Sequence, residues 1–229
     1  MTAKKEQNND LEVNLIETTS KIEAFYSTNK KQINTAIIAL LAIVGGYIAF
    51  TQLYVKPQNE EALREMFRAQ QYFEKDSFSL ALNGNESFQG FEAIAESYGM
   101  TQSGNLAHYY AGICCLRTGK FEEAISHLKS FDTDNELIGV LAKGALGDAY
   151  SESGDYDNAS SYYLKAARMS KNKVTAPIFY KKAATVFEEQ QNYSKAMDAY
   201  QTIKDEYPES TEAGDADKYI ARAKALSEN

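Results

Sequence analysis

HYYAGICCLRTGKFEEAISHL (His108–Leu128), KGALGDAYSESGDYDNASSYYLKAA (Lys143–Ala167) and YKKAATVFEEQQNYSKAMDAYQTI (Tyr180–Ile203) lie on one template. A small residue stands at Gly112, Gly147 and Ala184, and a turn follows at Gly119, Gly154 and Gln191. An aromatic comes next at Phe121, Tyr156 and Tyr193, then an alanine at Ala124, Ala159 and Ala196, then a large residue at Leu128, Tyr163 and Tyr200. The spacing is 35 residues and then 37. A unit this short, with a turn in its middle, cannot bury an apolar face alone and must stack on its neighbours. The small residue lets the second helix of a pair approach, the aromatic closes the turn, and the alanine marks the crossing. The expected fold is therefore all-α, a solenoid of paired helices.

The template resembles the tetratricopeptide repeat, a helix–turn–helix unit of about 34 residues. Pro208, after the third unit, matches the family position. The first family position, usually Trp, is held by His108, Lys143 and Tyr180, and the third turn lacks its Gly. Upstream, 59–82 reads as one long helix with apolar Leu63, Phe67, Tyr72 and Phe73, broken at Asn83-Gly84-Asn85. A shorter helix over 88–98 places Phe91, Ile94 and Tyr98 where the last unit has Tyr200, Ile203 and Tyr207, as a degenerate first repeat does. From Thr211 to Leu226, Ala213, Ala216, Tyr219, Ile220, Ala223 and Leu226 share one helical face, and the other face is charged, as a terminal cap requires. The expected domains are a tail over 1–32, a transmembrane helix over 33–55, a long helix plus degenerate hairpin over 56–104, three repeats over 105–209 and a capping helix over 210–229.

Gln32 to Val55 holds no charged side chain, and Ala36–Phe50 (AIIALLAIVGGYIAF) is apolar throughout but for the Tyr47 phenol. As a helix, 33–55 is about 34 Å long, enough for a bilayer core of about 30 Å. A cleaved secretory signal would have a short apolar core and a small-x-small site. The sequence after Phe50, TQLYVKPQNEE, offers none, so the segment reads as a retained anchor. Lys30 and Lys31 abut its start with Lys21 further back, whereas Lys56 is followed by Glu60 and Glu61. That bias places the N-terminus inside and the large domain on the far side, with Phe50 and Tyr54 as an interfacial belt. Ala42 with Gly46, and Gly45 with Ala49, form small-residue pairs that admit a second transmembrane helix.

The net charge is −8, and all of it arises after residue 55. A nucleic-acid binder needs a basic footprint, so that class is excluded. Adjacent Cys114 and Cys115 have no relaxed disulfide geometry and read as small buried residues. His108 and His127 fall on different helices of one hairpin, without ligand-spaced companions. No phosphate loop or nucleophile motif appears. The expectation is a chain without catalytic residues, cofactor or metal.

Surface is what remains. In tetratricopeptide arrays the first helices line a concave groove that holds peptides or partner domains. By register, the groove takes Tyr109, Ile113, Leu116 and Arg117 from the first unit; Asp148, Ser151 and Glu152 from the second; and Lys181, Thr185, Glu188 and Glu189 from the third. Repeats that clamp a C-terminal carboxylate carry Lys and Asn at inner positions held here by Tyr109, Ile113, Gly144, Asp148, Lys181 and Thr185, which argues against that use. Between Asn158 and Phe187, Lys165, Arg168, Lys171, Lys173, Lys181 and Lys182 occur without an acid, a stripe that reads as a solvated face or a dock for an acidic partner or lipid headgroups. In the tail, Leu11, Leu15, Ile16, Ile22, Phe25 and Tyr26 fall on one helical face, as in a helix lying on a bilayer or a partner.

Tail, span, long helix and small array together resemble the YfgM-type family of bacterial inner-membrane proteins. The likeness includes NKKQ before the span, and EMFRAQQYFEKDSFSLALNG and LAHYYAGICCLRTGKFEEAI after it resemble Bacteroidetes-type versions. That resemblance implies a single-pass inner-membrane protein with a cytoplasmic N-terminus and periplasmic repeats. It also implies association with the Sec translocon and a PpiD-like chaperone, and help for exported polypeptides. The alternatives are a cell-envelope scaffold for division or outer-membrane secretion, an organellar import receptor of opposite topology, and a regulator acting through the tail.

Overall fold

The computed structural model describes the backbone of residues 2–170 and 172–228, and the side chains of Lys21 and of those residues from Phe25 onward. The chain divides into two compact units between Val55 and Lys56. In the first, α1 (Thr2–Phe50) runs into a π-helical turn over Thr51–Val55. Thr51 Oγ1 donates to the Ile48 carbonyl at 2.9 Å. Pro57, in the first turn of the next helix, has no N–H for the carbonyl of Leu53, so the regular ladder breaks here. Among the described residues one helical stretch, starting at Phe25, contains a segment long and apolar enough to cross a membrane, and none of that segment is buried. Of the expected amphipathic tail face, Leu11, Leu15, Ile16 and Ile22 lie outside the described side chains; Phe25 and Tyr26 are exposed.

The second unit is helical but for a two-residue ladder. It holds α2 (Lys56–Phe73), α3 (Phe78–Asn83), α4 (Phe91–Tyr98), α5 (Gln102–Arg117), α6 (Phe121–Ser130), α7 (Glu136–Glu152), α8 (Tyr156–Met169), α9 (Thr175–Glu189) and α10 (Tyr193–Glu206). A 3₁₀ turn over Thr211–Asp215 leads into α11 (Ala216–Ser227). β1 (Gly84–Asn85) pairs antiparallel with β2 (Phe88–Gln89) between α3 and α4. The chain is an all-α tetratricopeptide solenoid behind an apolar N-terminal helix: α5–α6, α7–α8 and α9–α10 are hairpins, and α11 packs on α10.

One backbone device ends each first helix. Gly119, Gly154 and Gln191 have φ of 77°, 82° and 56°. The next N–H bonds back five residues, from Lys120 to Cys115, from Asp155 to Tyr150 and from Asn192 to Phe187, at 2.8 to 2.9 Å. This is the Schellman closure, in which a left-handed residue lets the last carbonyls find donors. Asp76 does the same after α2, with φ 56° and Ser77 N–H on the Tyr72 carbonyl at 2.9 Å. The stretch over 59–82 is thus two helices and not one, because Asp76 turns the chain where the later units place Gly or Gln.

Counted from Asp76, Ala69, Phe78 and Ala81 occupy the template's small, aromatic and alanine positions, and both alanines are fully buried. Phe91 stands fifteen residues after Asp76, whereas Tyr200 stands nine after Gln191. The difference is the β1–β2 hairpin, inserted into the second helix and splitting it into α3 and α4. Gly90 makes this possible: a Cβ there would meet the Leu82 carbonyl oxygen at 2.1 Å.

Helix crossings follow the small residues. A Cβ on Gly112 would fall 2.6 Å from Leu128 Cγ, and one on Gly147 2.5 Å from Tyr163 Cδ1. The core forms two clusters. Met66, Leu82, Phe91, Ile94 and Cys114 anchor the first, and Leu128, Val140, Tyr163, Phe187, Tyr200 and Ile203 anchor the second.

Candidate functional site

The first helices α5, α7 and α9 line an open cavity of about 1000 Å³. Tyr109, Ile113, Leu116 and Arg117 line it from α5, and Asp148, Ser151 and Glu152 from α7. These side chains come together because they recur on one face of helices whose opposite face is fixed by the Gly and Ala crossings. Lys181 and Thr185 lie outside the cavity. Lys181 Nζ sits 5.6 Å from the Tyr219 ring centroid, and Thr185 Oγ1 donates to the Lys181 carbonyl. The third unit contributes Ile178, Phe179 and Lys182 instead.

Leu141 and Ile178 are the exposed apolar members, at 40% and 38%. The register positions leave them out, yet the sequence marks them: Leu63, Leu106, Leu141 and Ile178 all stand thirteen residues before the turn residue. Gly144 keeps the floor low, since a Cβ there would meet Phe179 Cε1 at 2.2 Å.

The polar end is an internally satisfied cluster. Asp148 Oδ1 accepts from Tyr163 Oη and from Lys182 Nζ, each at 2.6 Å. Lys182 also lies over the Tyr163 ring, 5.5 Å from its centroid. Burial, and then the neighbouring Asp148 charge, pushes the Tyr163 phenol well above its usual range. At the apolar end burial raises the Tyr109 phenol. Arg117 stacks over Phe78 at 5.9 Å. The cavity therefore offers aliphatic and aromatic surface beside a neutralised charge pair, with Glu152 exposed at its rim.

The cations of 158–187 do not form one stripe. Lys165 lies over Tyr162 on α8, Lys173 faces Glu209 at 3.6 Å, Lys182 turns into the groove, and Lys171 lies outside the described residues. Arg168 lines a second cavity of about 560 Å³, with Asp157, Tyr180 and Lys195 among its neighbours.

His108 and His127 meet, with Nδ1 atoms 3.1 Å apart, because the α5–α6 crossing brings their turns together. One ring must donate and the other accept. Burial lowers both pKa values, and His127 lowers that of His108 further. Cys114 and Cys115 are buried and unpaired, and burial pushes both thiols up to about 12. Among the described residues no three His, Cys, Asp or Glu side chains are grouped to hold a metal ion.

In the first unit Ala42, Gly45, Gly46 and Ala49 are all exposed, and a Cβ on either glycine would meet nothing within 4 Å.

A family model described as the tetratricopeptide repeat matches residues 145–211, which span α7 to the 3₁₀ turn. No curated protein matches the chain. Tetratricopeptide domains are typically non-catalytic scaffolds, and these repeats indicate a protein–protein interaction role.

Proposed function

We propose that the chain is a non-catalytic, membrane-anchored adaptor: an accessory subunit of the bacterial Sec translocon. The 33–55 segment anchors it with the tail in the cytoplasm and the repeats in the periplasm. The groove holds the translocon, a PpiD-like chaperone or an exported polypeptide. The observation that carries this reading is the open cavity across α5, α7 and α9, with Leu141 and Ile178 exposed in it. The YfgM-type resemblance supplies the identity of the machine. The span contributes through Ala42, Gly45, Gly46 and Ala49, which leave room for a neighbouring helix.

Affinity purification of the full-length protein in mild detergent tests the assignment. Recovery of the Sec channel and the PpiD-like chaperone supports it. Recovery of division or outer-membrane secretion machinery in their place moves the chain to the envelope-scaffold class. Protease protection of residues 56–229 in intact cells or spheroplasts separates both from an import receptor, whose repeats face the cytosol.

A further inference from the structure

The two ends of the helical stack are finished differently. At the C-terminal end α11 covers the third unit: Tyr219 stacks on Tyr200 at 5.1 Å, and Arg222 pairs with Glu188. At the N-terminal end Leu63 and Phe67 of α2 are 57% and 60% exposed. Counted back from the left-handed residue that closes each first helix, Phe67 corresponds to Tyr110, Ala145 and Lys182. In the later units this position is occupied by contacts. Tyr110 packs on Phe73 at 5.1 Å and on Phe91 at 4.9 Å, both in the hairpin before it. Lys182 reaches back to Asp148, and Ala145 is buried. Leu63 corresponds to Leu106, half-buried against the first core cluster, and to Leu141 and Ile178, which stand exposed in the groove. Within Lys56–Asn229 no hairpin precedes α2, so the Phe67 position, which the later units fill with contacts to the unit before, stands open.

We propose that this open end is a self-association surface, on which a second copy of the chain docks its own α2 in a two-fold arrangement. A two-fold interface must be complementary to itself. Leu63 and Phe67 supply an apolar centre that matches its own image. Glu60 and Arg64, one turn apart beside them and both exposed, give opposite charges that meet reciprocally, Glu60 of each copy with Arg64 of the other. The proposal rests on the anchored reading, because α2 begins directly after the apolar segment. By connectivity, Leu63 and Phe67 follow Val55 within twelve residues, so copies sharing one membrane carry the pair at the same short distance along the chain from the anchor. A lipid surface fits less well. Glu60, Glu61 and Glu65 offset Lys56, Arg64 and Arg68, so α2 offers anionic headgroups no basic excess.

The test uses full-length protein in native membranes carrying Phe67→Cys, treated with a mild oxidant or a short bifunctional maleimide. Native Cys114 and Cys115 are buried and leave the background clean. The expected result is a covalent dimer from Phe67→Cys and none from Glu122→Cys on the exposed face of α6. Glu60→Arg should lower the dimer yield severalfold, and adding Arg64→Glu should restore it. A Phe67→Cys protein that links no better than Glu122→Cys overturns the proposal, as does a yield indifferent to the charge reversal. If the chain washes out of membranes at alkaline pH, the anchored reading fails with it. If it stays and remains monomeric, only the dimer is lost.

Discussion

Lys182 Nζ donates to Asp148 Oδ1 at 2.6 Å and so joins the third repeat to the second across the floor of the groove. The pair is two-fifths and one-third exposed, so solvent screens it and the ion pair alone contributes less than about 1 kcal/mol. Asp148 matters more, because the buried Tyr163 hydroxyl also donates to it. Lys182→Met is expected to lower stability by under about 1 kcal/mol, and Asp148→Ala by about 1–3 kcal/mol, since it removes the carboxylate that accepts from both Lys182 and the buried Tyr163 hydroxyl. Urea denaturation of the Lys56–Asn229 unit within the full chain reads the difference, and equal losses would contradict the assignment.

The crossings are tight enough to reverse the usual preference for Ala over Gly in helices. At Gly147 a Cβ would meet Tyr163 Cδ1 at 2.5 Å. Gly147→Ala is expected to destabilise by about 1–3 kcal/mol, as overpacking does. At Gln191 the sign is opposite. Its φ of 56° strains any side chain by about 1–2 kcal/mol, so Gln191→Gly is expected to raise stability by up to about 1 kcal/mol after the added chain entropy. Thermal melts of the two variants check both signs.

The histidine pair makes stability depend on pH. Both rings are held below the ordinary value near 6.5, chiefly by burial, while Glu92 and Glu96 of α4 and Glu123 of α6 pull the other way and Lys120 adds to the lowering of His127. Below about 6.5 the unfolded chain therefore takes up protons that the folded chain refuses. Stability is full above that pH and falls as pH drops toward the folded values. His127→Gln should shrink the slope between pH 7 and 5, and an unchanged slope would rule out the pair as its source.

Cys114 and Cys115 are expected to be silent in the folded protein. With thiols near 12 against an ordinary 9.0, the thiolate fraction at any working pH is about a thousandfold lower. Iodoacetamide at pH 8 should label them only after denaturation. Rapid labelling of the native protein would contradict their burial.

The repeat itself was legible in the sequence because its steric requirements select residue types: Gly112 and Gly147 where helices touch, Gly119 and Gly154 where φ is positive. The extra unit at the start was less legible. Asp76 takes the left-handed position without being Gly, and the β1–β2 hairpin shifts Phe91 out of register by six residues. The groove showed the same limit. Residues on α5 and α7 fall in the cavity at the register positions, whereas on α9 the cavity takes Lys182 and not Lys181, because Lys182 reaches back to Asp148 and Lys181 turns toward Tyr219. The meeting of His108 and His127 depends on a tertiary crossing between helices, which spacing along one helix does not encode.

Site-specific photo-crosslinking in native membranes identifies what occupies the groove. A photoreactive side chain is placed at Ile178 in the groove, or at exposed Ser194 on α10, in the full-length chain. Adducts with the Sec channel, the PpiD-like chaperone or an exported polypeptide are expected from Ile178, and none of these from Ser194. The same adducts from both positions, or none from Ile178, would contradict the proposed function.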